Sequence, residues 1–388
     1  MNPYNIFNFQ APADLTFGAG ASRQLAEKLR SLSIGRPLVV ADRGVVQAGV
    51  VAQALAGLGP ANISYVVFDE VEENPSCETV EKAAAVYKQE GCDGFVGIGG
   101  GSPMDVAKVA SILVTNGGRP QDYEGRARFH NPRAPLVLVP TTAGTASEVT
   151  YNAVITDLER VFKFPVISPH LVPDVALCDP ELTLSKPPGL TAATGMDALT
   201  HAVESFINNV ENPVTRHLAA KAIELMSANL RTAVYNPGNL QARSDMLLGS
   251  TLAGMAFTVT RLGNVHAMSH PLGAYFNVPH GVANSILLPR VMAFNLPACV
   301  ERMAEVARLM GERVEGLTPL EAAERAVAAV HRLSQDIKIP ASLAEVGVTA
   351  DKIPLMAEDT MKSGNVAVNP RRTTVHDIVD LFEKAMKA

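Results

Sequence analysis

The sequence predicts an α/β N-terminal domain with a parallel sheet and an all-α C-terminal domain. Short apolar runs in the first half alternate with amphipathic stretches. The apolar runs lie at residues 37–42, 64–68, 94–99 and 135–140, and the amphipathic stretches lie at residues 77–90 and 103–114. Buried strands that alternate with helices are typical of a parallel sheet covered on both faces. Ligands of such sheets bind beyond the carboxyl ends of the strands, so the loops after these strands are the first candidates for a binding site.

The pattern changes after about residue 186. Residues 185–189 read Ser-Lys-Pro-Pro-Gly, a turn-forming run that is typical of a boundary. Apolar residues then recur with helical spacing, as at residues 219–230 and 247–257, and strand-like alternation is scarce. We therefore expect one domain at residues 1–186 and an all-helical domain at residues 187–388.

The composition excludes several classes of protein. Hydrophobic residues make up 47% and charged residues 19% of the 388 positions, which argues against disorder. The net charge is −6 without a basic run, so nucleic acid is not an expected partner. No run approaches the roughly 18 apolar residues of a membrane span, and the N-terminus lacks the features of a signal peptide. We expect a cytoplasmic protein with no membrane partner and with reduced, scattered cysteines.

A glycine cluster follows the predicted strand at residues 94–99. Gly99, Gly100 and Gly101 precede Ser102 at the start of a predicted helix. Glycines allow a ligand to approach the backbone closely, and the N–H groups at a helix start bind anions such as a pyrophosphate. A tight strand-to-helix turn is the alternative. Because Ser102 replaces the third glycine of G-x-G-x-x-G and the Walker lysine is absent, the loop alone does not identify a nucleotide site.

A second polar loop follows the predicted strand at residues 135–140. Its hydroxyls, on Thr141, Thr142, Thr145 and Ser147, suit a phosphate or a ribose. The alternative is helix capping by Thr145 or Ser147. Two such loops after two strands favour one ligand that both of them share.

Asp42 ends the predicted strand at residues 37–42. A carboxylate at this position accepts hydrogen bonds from the adenosine ribose and repels a 2′-phosphate, which favours NAD over NADP. The alternative is an aspartate that only stabilises the turn before Arg43 and Gly44.

Two clusters in the second half contain the residue types that bind transition metals. Asp197 and His201 are four residues apart and share a helix face, while His266, His270 and His280 lie within fifteen residues of one another. A carboxylate with imidazoles suits Fe(II), Zn(II), Mn(II), Co(II) or Ni(II), and such an ion is a Lewis acid. The alternative for the first pair is a hydrogen bond. Spacing alone does not choose which histidines join that pair.

Taken together, these motifs resemble the iron-containing alcohol dehydrogenase family. The resemblance spans nearly the whole chain and is carried by residues 99–108, 140–150, 179–183, 195–204, 264–289 and 369–371. It implies an N-terminal dinucleotide-binding domain, a C-terminal helical domain and a site in the cleft between them. We also expect a homo-oligomer.

The resemblance implies that Asp197, His201, His266 and His280 bind one divalent ion, usually iron, and that His270 lies near the ion without binding it. It implies contacts with NAD through the two polar loops and through positions elsewhere in the first domain. The expected cofactor residues are Asp42, Asn74, Gly99, Gly100, Gly101, Ser102, Asp105, Thr141, Thr142, Thr145, Ser147, Asn152, Lys163 and Leu182.

The implied reaction is the reversible oxidation of a small primary alcohol or diol to its aldehyde. His270 is the candidate for carrying the proton, and the expected substrate pocket contains Asn152, Phe257, Arg261 and His270. The alternative for Phe257 is an ordinary core residue that does not contact the substrate. Arg261 departs from the family pattern, in which small or apolar residues are common, and it either binds an acidic substrate group or points to solvent.

Two other functions compete with this hypothesis. A metal-dependent lyase or cyclase resembling dehydroquinate synthases would use NAD transiently, but such enzymes need a basic cluster near the histidines that the sequence does not show. A non-catalytic scaffold subunit would keep a vestigial site, and the intact ligand and glycine motifs argue against it.

Overall fold

The computed structural model describes residues 7–9, 14–126, 129, 131–160, 162–210 and 212–387. The chain divides into two compact units, one of Ala11–Lys186 and one of Pro187–Ala388 together with Met1–Gln10. We call them the α/β unit and the helical unit. The domain bounds expected from the sequence, residues 1–186 and 187–388, stay a prediction. The Asn8 carbonyl accepts a hydrogen bond from the Asn212 side chain of the helical unit. His130, which is expected to serve structure or solvation rather than metal binding, lies outside the described residues.

The α/β unit contains the strands and helices that the alternating pattern predicts, with several that it did not. Its strands are β1 (Asp14–Phe17), β2 (Pro37–Val40), β3 (Val66–Phe68), β4 (Gly94–Gly99), β5 (Gly125–Arg126), β6 (Leu136–Pro140), β7 (Asn152–Asp157), β8 (Phe162–Ile167) and β9 (Val175–Cys178). Its helices are α1 (Leu25–Ser31), α2 (Arg43–Gln47), α3 (Val50–Leu55), α4 (Cys77–Gln89) and α5 (Gly101–Asn116).

Six strands form a parallel sheet in the order β1-β9-β6-β4-β2-β3. Gly99 at the end of β4 pairs with Pro140 at the end of β6, and Val40 at the end of β2 pairs with Gly97. The carboxyl ends of these three strands therefore lie side by side. The loops that the sequence singled out follow these strands.

The residues of β2, β4 and β6 alternate between two apolar layers. Leu38, Phe95 and Leu138 belong to a cluster that includes α4 and α5, whereas Val39 and Val96 belong to a cluster that includes α1 and α3. All five side chains are fully buried. The sheet is thus covered on both faces, as the continuous apolar runs predict.

A second, three-stranded sheet has the order β5-β8-β7, in which β7 and β8 are antiparallel. Its strands are not among those that the apolar runs predict. The signal was a period of two in β7, where Ala153 and Ile155 are fully buried and Val154 between them is exposed.

In its described residues the helical unit contains helices and no strands. The predicted fold class is confirmed. Its helices are α6 (Pro188–Ile207), α7 (Pro213–Tyr235), α8 (Leu240–Thr260), α9 (Asn264–Phe276), α10 (His280–Asn295), α11 (Val300–Leu309), α12 (Pro319–Asp336), α13 (Ile353–Met361) and α14 (Val375–Ala385). Within the described part of the chain, no helix combines the length and the apolar character needed to cross a membrane.

Helix α6 is the central helix of this unit and packs against α7, α8 and α10. Of its 20 residues 15 are buried, so it is enclosed on nearly every side. The buried set includes the ionisable residues Asp197, His201 and Glu204. Charged groups are rarely buried without partners, so these three residues are candidates for a functional site.

The α/β unit also buries one lysine completely. The Lys108 amine on α5 donates hydrogen bonds to the carbonyls of Thr150 and Asn152, at 2.9 and 2.8 Å, and to the Thr150 hydroxyl. Burial lowers its pKa to about 8, although Asp105 and Glu148 favour the charged form. Lys108 thereby joins α5 to the segment that enters β7.

We expect Lys108→Met to destabilise the protein by about 3–5 kcal/mol, because the variant leaves buried oxygens and Asp105 without their cation. The free energy of unfolding in urea measures this loss. Lys88→Met, which changes an exposed lysine at the end of α4, is the matched control and should change stability little. Equal effects of the two substitutions would contradict the structural role of Lys108.

The same pair of proteins tests the sign of the pH dependence. The ordinary pKa of 10.5 exceeds the folded value of about 8, so between them the unfolded chain binds more protons at this position than the folded protein does. Stability contributed by Lys108 therefore rises with pH over this interval. The stability difference between wild type and Lys108→Met should grow from pH 8 to 10.5.

Candidate metal centre and cofactor loops

Four ionisable side chains from three helices converge in the helical unit. Asp197 and His201 project from α6 one turn apart, His266 lies in the first turn of α9, and His280 is the first residue of α10. The start of α10 lies so close to α6 that a Cβ at Gly281 would be only 2.4 Å from the Ala193 carbonyl oxygen. Glycine at position 281 is thus required for His280 to reach Asp197.

One oxygen of Asp197 faces all three imidazoles. Asp197 Oδ1 lies 4.0 Å from His201 Nε2 and 3.7 Å from the Nε2 atoms of His266 and His280. The ligand atoms of Asp197, His201 and His266 all lie within 4.8 Å of one another, and the three residues are buried. The His280 side chain is 43% exposed, so the centre opens to solvent on that side.

These separations fit ligands that share an ion. They are too long for direct hydrogen bonds, which end near 3.2 Å. Ligands about 2.1 Å from a tetrahedral ion lie roughly 3.4 Å apart, close to the spacing seen here. Imidazole nitrogens with one carboxylate oxygen are also a donor set that borderline divalent metals prefer. The residues present therefore fit a metal ion.

The electrostatics of the centre favour a cation. Burial opposes ionisation of Asp197, but His201, His266 and His280 outweigh it and hold its pKa below the ordinary value. Burial also opposes protonation of His266, yet Asp197 and Glu204 raise its pKa to about 9. Positive charge near Nε2 of His266 is thus stabilised by the protein.

Asn284 is a neighbour of the centre that is not among the residues predicted from the sequence. Its fully buried amide nitrogen lies 2.6 Å from Asp197 Oδ1 and 3.1 Å from the Nε2 atoms of His266 and His280. The sequence signal was its position one turn after His280 on α10. A donor group therefore faces three of the four expected ligand atoms.

The expected substrate residues of the helical unit lie in different environments. Phe257 is buried and stacks on His201 with ring centroids 4.4 Å apart. His270 is exposed, and its ring centroid is 5.8 Å from that of His280. Arg261 is also exposed and donates a hydrogen bond to the Gly364 carbonyl at 3.4 Å.

In the α/β unit the two polar loops lie against each other. The Thr141 N–H donates to the Gly99 carbonyl where β4 and β6 end. A Cβ at Gly101 would lie 3.0 Å from Thr145 Cγ2, and one at Gly100 would lie 3.5 Å from Thr142 Oγ1. The structure therefore joins the loops that the sequence expects to share one ligand.

The start of α5 is suited to an anion. The helix begins at Gly101 rather than at the predicted residue 103, so Gly101 and Ser102 lie in its first turn. Gly100, the N-cap, provides no side-chain hydrogen bond, and the first turn contains no acidic residue. The N–H groups and the positive end of the helix dipole are thus not neutralised by acidic side chains of this turn.

Two buried oxygens near these loops indicate a polar ligand. Thr141 Oγ1 and Asn152 Oδ1 have no hydrogen-bond partner among the described residues. Buried polar atoms are rarely left without a partner, and a dinucleotide supplies donors and acceptors. The residues of the α/β unit therefore fit NAD.

Other expected cofactor residues already have protein partners. Asp42 caps α2 by accepting the Val45 N–H at 2.9 Å, and its Oδ2 would lie 3.4 Å from a Cβ at Gly99. Lys163 donates to Asn74 Oδ1 at 2.9 Å, so these two residues are joined although they are far apart in sequence. Burial lowers the pKa of Lys163.

Asp105, Ser147 and Leu182 are held by the unit itself. Asp105 accepts hydrogen bonds from the Ser147 hydroxyl at 2.7 Å and from the Val154 N–H at 2.9 Å. Burial raises the pKa of Asp105, with Lys108 opposing. Leu182 is fully buried in the apolar cluster that covers one sheet face. The contacts with a cofactor expected for these residues stay predictions.

Two family models match the chain along most of its length. A model described as iron-containing alcohol dehydrogenase matches residues 12–180, and the C-terminal model of the Fe-containing alcohol dehydrogenase family matches residues 191–386. The chain belongs to the iron-containing alcohol dehydrogenase family. The family that the sequence motifs resemble is thereby confirmed.

Similar proteins match this family member from end to end. The 1,3-propanediol dehydrogenase of Klebsiella pneumoniae is 45% identical over 384 residues, which cover 98% of this chain and 99% of the relative. The NAD-dependent methanol dehydrogenase of Bacillus methanolicus is 39% identical over 379 residues, 98% of this chain and 100% of the relative. A crystal structure of a 1,3-propanediol oxidoreductase matches with a TM-score of 0.96 and 45% identity, covering 98% of this chain and 100% of that chain.

Membership of the iron-containing alcohol dehydrogenase family makes this chain an oxidoreductase of alcohols and aldehydes, and the predicted reaction class is confirmed. The family implies NAD and a metal ion, and the helical unit contains the group of Asp197, His201 and His266 that can hold one. Whether His280 is the fourth ligand stays a prediction.

We expect His280→Ala to lose bound metal and turnover while its affinity for NAD stays unchanged. Loss of a ligand should cost more than the roughly 10–100-fold loss of affinity that removal of an outer-shell partner causes. Metal content and NAD binding of the purified protein, measured separately, check this. His331→Ala, at an exposed position of α12, is the control. Unchanged metal content in His280→Ala would exclude this residue as a ligand.

Proposed function

We propose that this alcohol dehydrogenase interconverts a short primary alcohol or diol and its aldehyde with NAD(H), at one Fe(II) ion held by Asp197, His201, His266 and His280. The observation that supports it is the convergence of three Nε2 atoms on Asp197 Oδ1. Zn(II), Mn(II), Co(II) and Ni(II) suit the same donor set, and iron is preferred because of the family. A cytoplasmic location and a homo-oligomer stay predictions.

The ion, when bound, supplies a Lewis acid for the alcohol oxygen, and NAD supplies the hydride acceptor. The protein's part is to hold the buried Asp197 carboxylate facing the three imidazoles, with the Asn284 amide donating to its Oδ1 at 2.6 Å. The buried side of the centre, with Phe257 stacked on His201, excludes water and offers an apolar wall to a short carbon chain.

A proton must leave when an alcohol is oxidised. His270 is exposed and its ring lies beside the half-exposed His280. A ring nitrogen of His270 is therefore placed to take that proton and release it to solvent.

The two cofactor loops bind different groups of NAD. The N–H groups of Gly101 and Ser102 bind the pyrophosphate, and the hydroxyls of Thr141 and Thr145 bind on the nicotinamide side. Asn74 and Lys163, joined by a hydrogen bond, offer an amide and a cation to ribose or phosphate oxygens. Asp42 accepts from the adenosine ribose and selects NAD.

The substrate class rests on the relatives. One acts on 1,3-propanediol and another on methanol, at 45% and 39% identity over nearly the whole chain, so we propose alcohols and diols of this size. The exposed Arg261, bonded to the Gly364 carbonyl, favours a guanidinium that points to solvent over one that binds an acidic substrate.

An anaerobic assay with added Fe(II) tests this function. We expect net formation of NADH from 1,3-propanediol or a short primary alcohol, and net consumption of NADH with the matching aldehydes. A lyase or cyclase that uses NAD transiently would produce no net NADH. A scaffold subunit would bind neither metal nor NAD. Either of these two results would contradict the proposal.

We expect Asp42→Asn to shift the preference toward NADP. The amide still accepts the Val45 N–H, so the helix cap remains, but the charge that repels a 2′-phosphate is gone. A change of about 1.4 kcal/mol would raise the ratio of kcat/KM with NADPH to that with NADH by roughly tenfold. Asp14→Asn, at a carboxylate paired with Lys28, controls for general loss of charge. An unchanged ratio would leave Asp42 as a capping residue only.

A further inference from the structure

Glu204 is a buried acid beside the metal centre to which no role has yet been given. It lies on α6 three residues after His201 and is only 3% exposed. Its Oε2 lies 2.6 Å from His266 Nδ1, and its Oε1 accepts the Val265 N–H at 2.7 Å. Burying a carboxylate costs several kcal/mol unless it is well partnered. Both oxygens of Glu204 are engaged at the start of α9.

The contact determines which nitrogen of His266 is free. A carboxylate accepts, so His266 Nδ1 donates its proton to Glu204. In the neutral ring, which is the form that binds a metal, Nε2 then has a lone pair. This nitrogen is the one that lies 3.7 Å from Asp197 Oδ1.

Asn284 indicates the same arrangement independently. The atom 2.6 Å from Asp197 Oδ1 must be the amide nitrogen, since an ionised carboxylate needs a donor. That nitrogen also lies 3.1 Å from His266 Nε2. A donor facing Nε2 requires a lone pair there, in agreement with a proton on Nδ1.

The backbone around His266 is held by the same acid. A Cβ at Gly263 would lie 2.9 Å from Glu204 Oε1, so a larger residue here would displace the carboxylate from its present position. The Asn264 N–H donates to Asn369 Oδ1, and Asn369 exchanges amide hydrogen bonds with Asn295. The first turn of α9 is therefore bound to α6 through Glu204 and to the C-terminal segment through Asn369.

We propose that Glu204 is a positioning residue that holds His266 with its proton on Nδ1 and so presents Nε2 to the metal. This rests on the proposed metal centre. A carboxylate that accepts from the outer nitrogen of a ligating histidine orients the ring and raises its basicity. Glu204 acts through His266 and does not touch the metal or the substrate.

The test compares the wild type with Glu204→Gln as full-length protein stripped of metal. A glutamine has one acceptor oxygen for two N–H partners, so it satisfies either His266 or Val265 but not both. We expect the affinity for Zn(II), measured by competition with a chelator, to fall about 10–100-fold, with unchanged affinity for NAD.

A spectroscopic reading separates positioning from a general structural effect. In the Zn(II)-loaded wild type with ¹⁵N-labelled histidine, NMR should show one imidazole with a strongly hydrogen-bonded Nδ1–H and a metal-bound Nε2. Glu204→Gln should weaken or abolish that Nδ1–H signal. Val330→Ala, which truncates a fully buried side chain on α12, should lower stability without changing the signal or the affinity.

The outcomes distinguish the two proposals. Absence of Zn(II) binding by the wild type overturns the metal centre. Binding by the wild type together with equal affinity and an unchanged Nδ1–H signal in Glu204→Gln overturns the role of Glu204 alone. Should Glu204→Gln fail to fold, Glu204→Asp replaces it, because the shorter acid reaches only one of its two partners. Full affinity in that variant would overturn the inference.

Discussion

The buried carboxylate of Asp197 is the constraint on which the helical unit depends. A charge in the interior is costly unless other charges or hydrogen bonds compensate it. Here the compensation comes from three imidazoles and one amide, on α6, α9 and α10. The distances of 3.7–4.0 Å from Asp197 Oδ1 to the imidazole nitrogens are too long for hydrogen bonds. A cation shared by these atoms would complete the proposed centre, and its binding would then contribute to the stability of the folded protein.

The positions of the surrounding helices follow from that need. Gly281 lets α10 approach α6, where His280 faces Asp197, and Glu204 on α6 accepts a hydrogen bond from His266 Nδ1. Helix α6 thus provides two of the proposed ligands and the acid that contacts a third. A helix with this many buried residues usually contains apolar side chains. The proposed metal centre accounts for the buried Asp197, His201 and Glu204 of this helix.

The sequence predicted the parts of the fold whose signal is local. Apolar runs predict β2, β4 and β6, and a spacing of four places Asp197 and His201 on one face. The choice of His280 over His270 came from the family resemblance, because both histidines follow His266 closely and only packing separates them. Glu204 and Asn284 were missed, since an acid and an amide on helices usually face solvent and their partners lie 62 and 87 residues away. The β7–β8 hairpin was missed because its alternation is short.

The α/β unit buries a charge in a contrasting way. The Lys108 amine has acceptors at 2.8 and 2.9 Å and is satisfied by the protein itself, so it serves structure. Thr141 Oγ1 and Asn152 Oδ1 are equally hidden and have no partner among the described residues. In the helical unit the Asn284 amide donates to Asp197 Oδ1 at 2.6 Å, while the three imidazole nitrogens lie 3.7–4.0 Å from that oxygen, a spacing that fits ligands of a shared ion. The satisfied lysine therefore belongs to the scaffold, whereas the unpartnered oxygens of Thr141 and Asn152 support the proposed place for NAD.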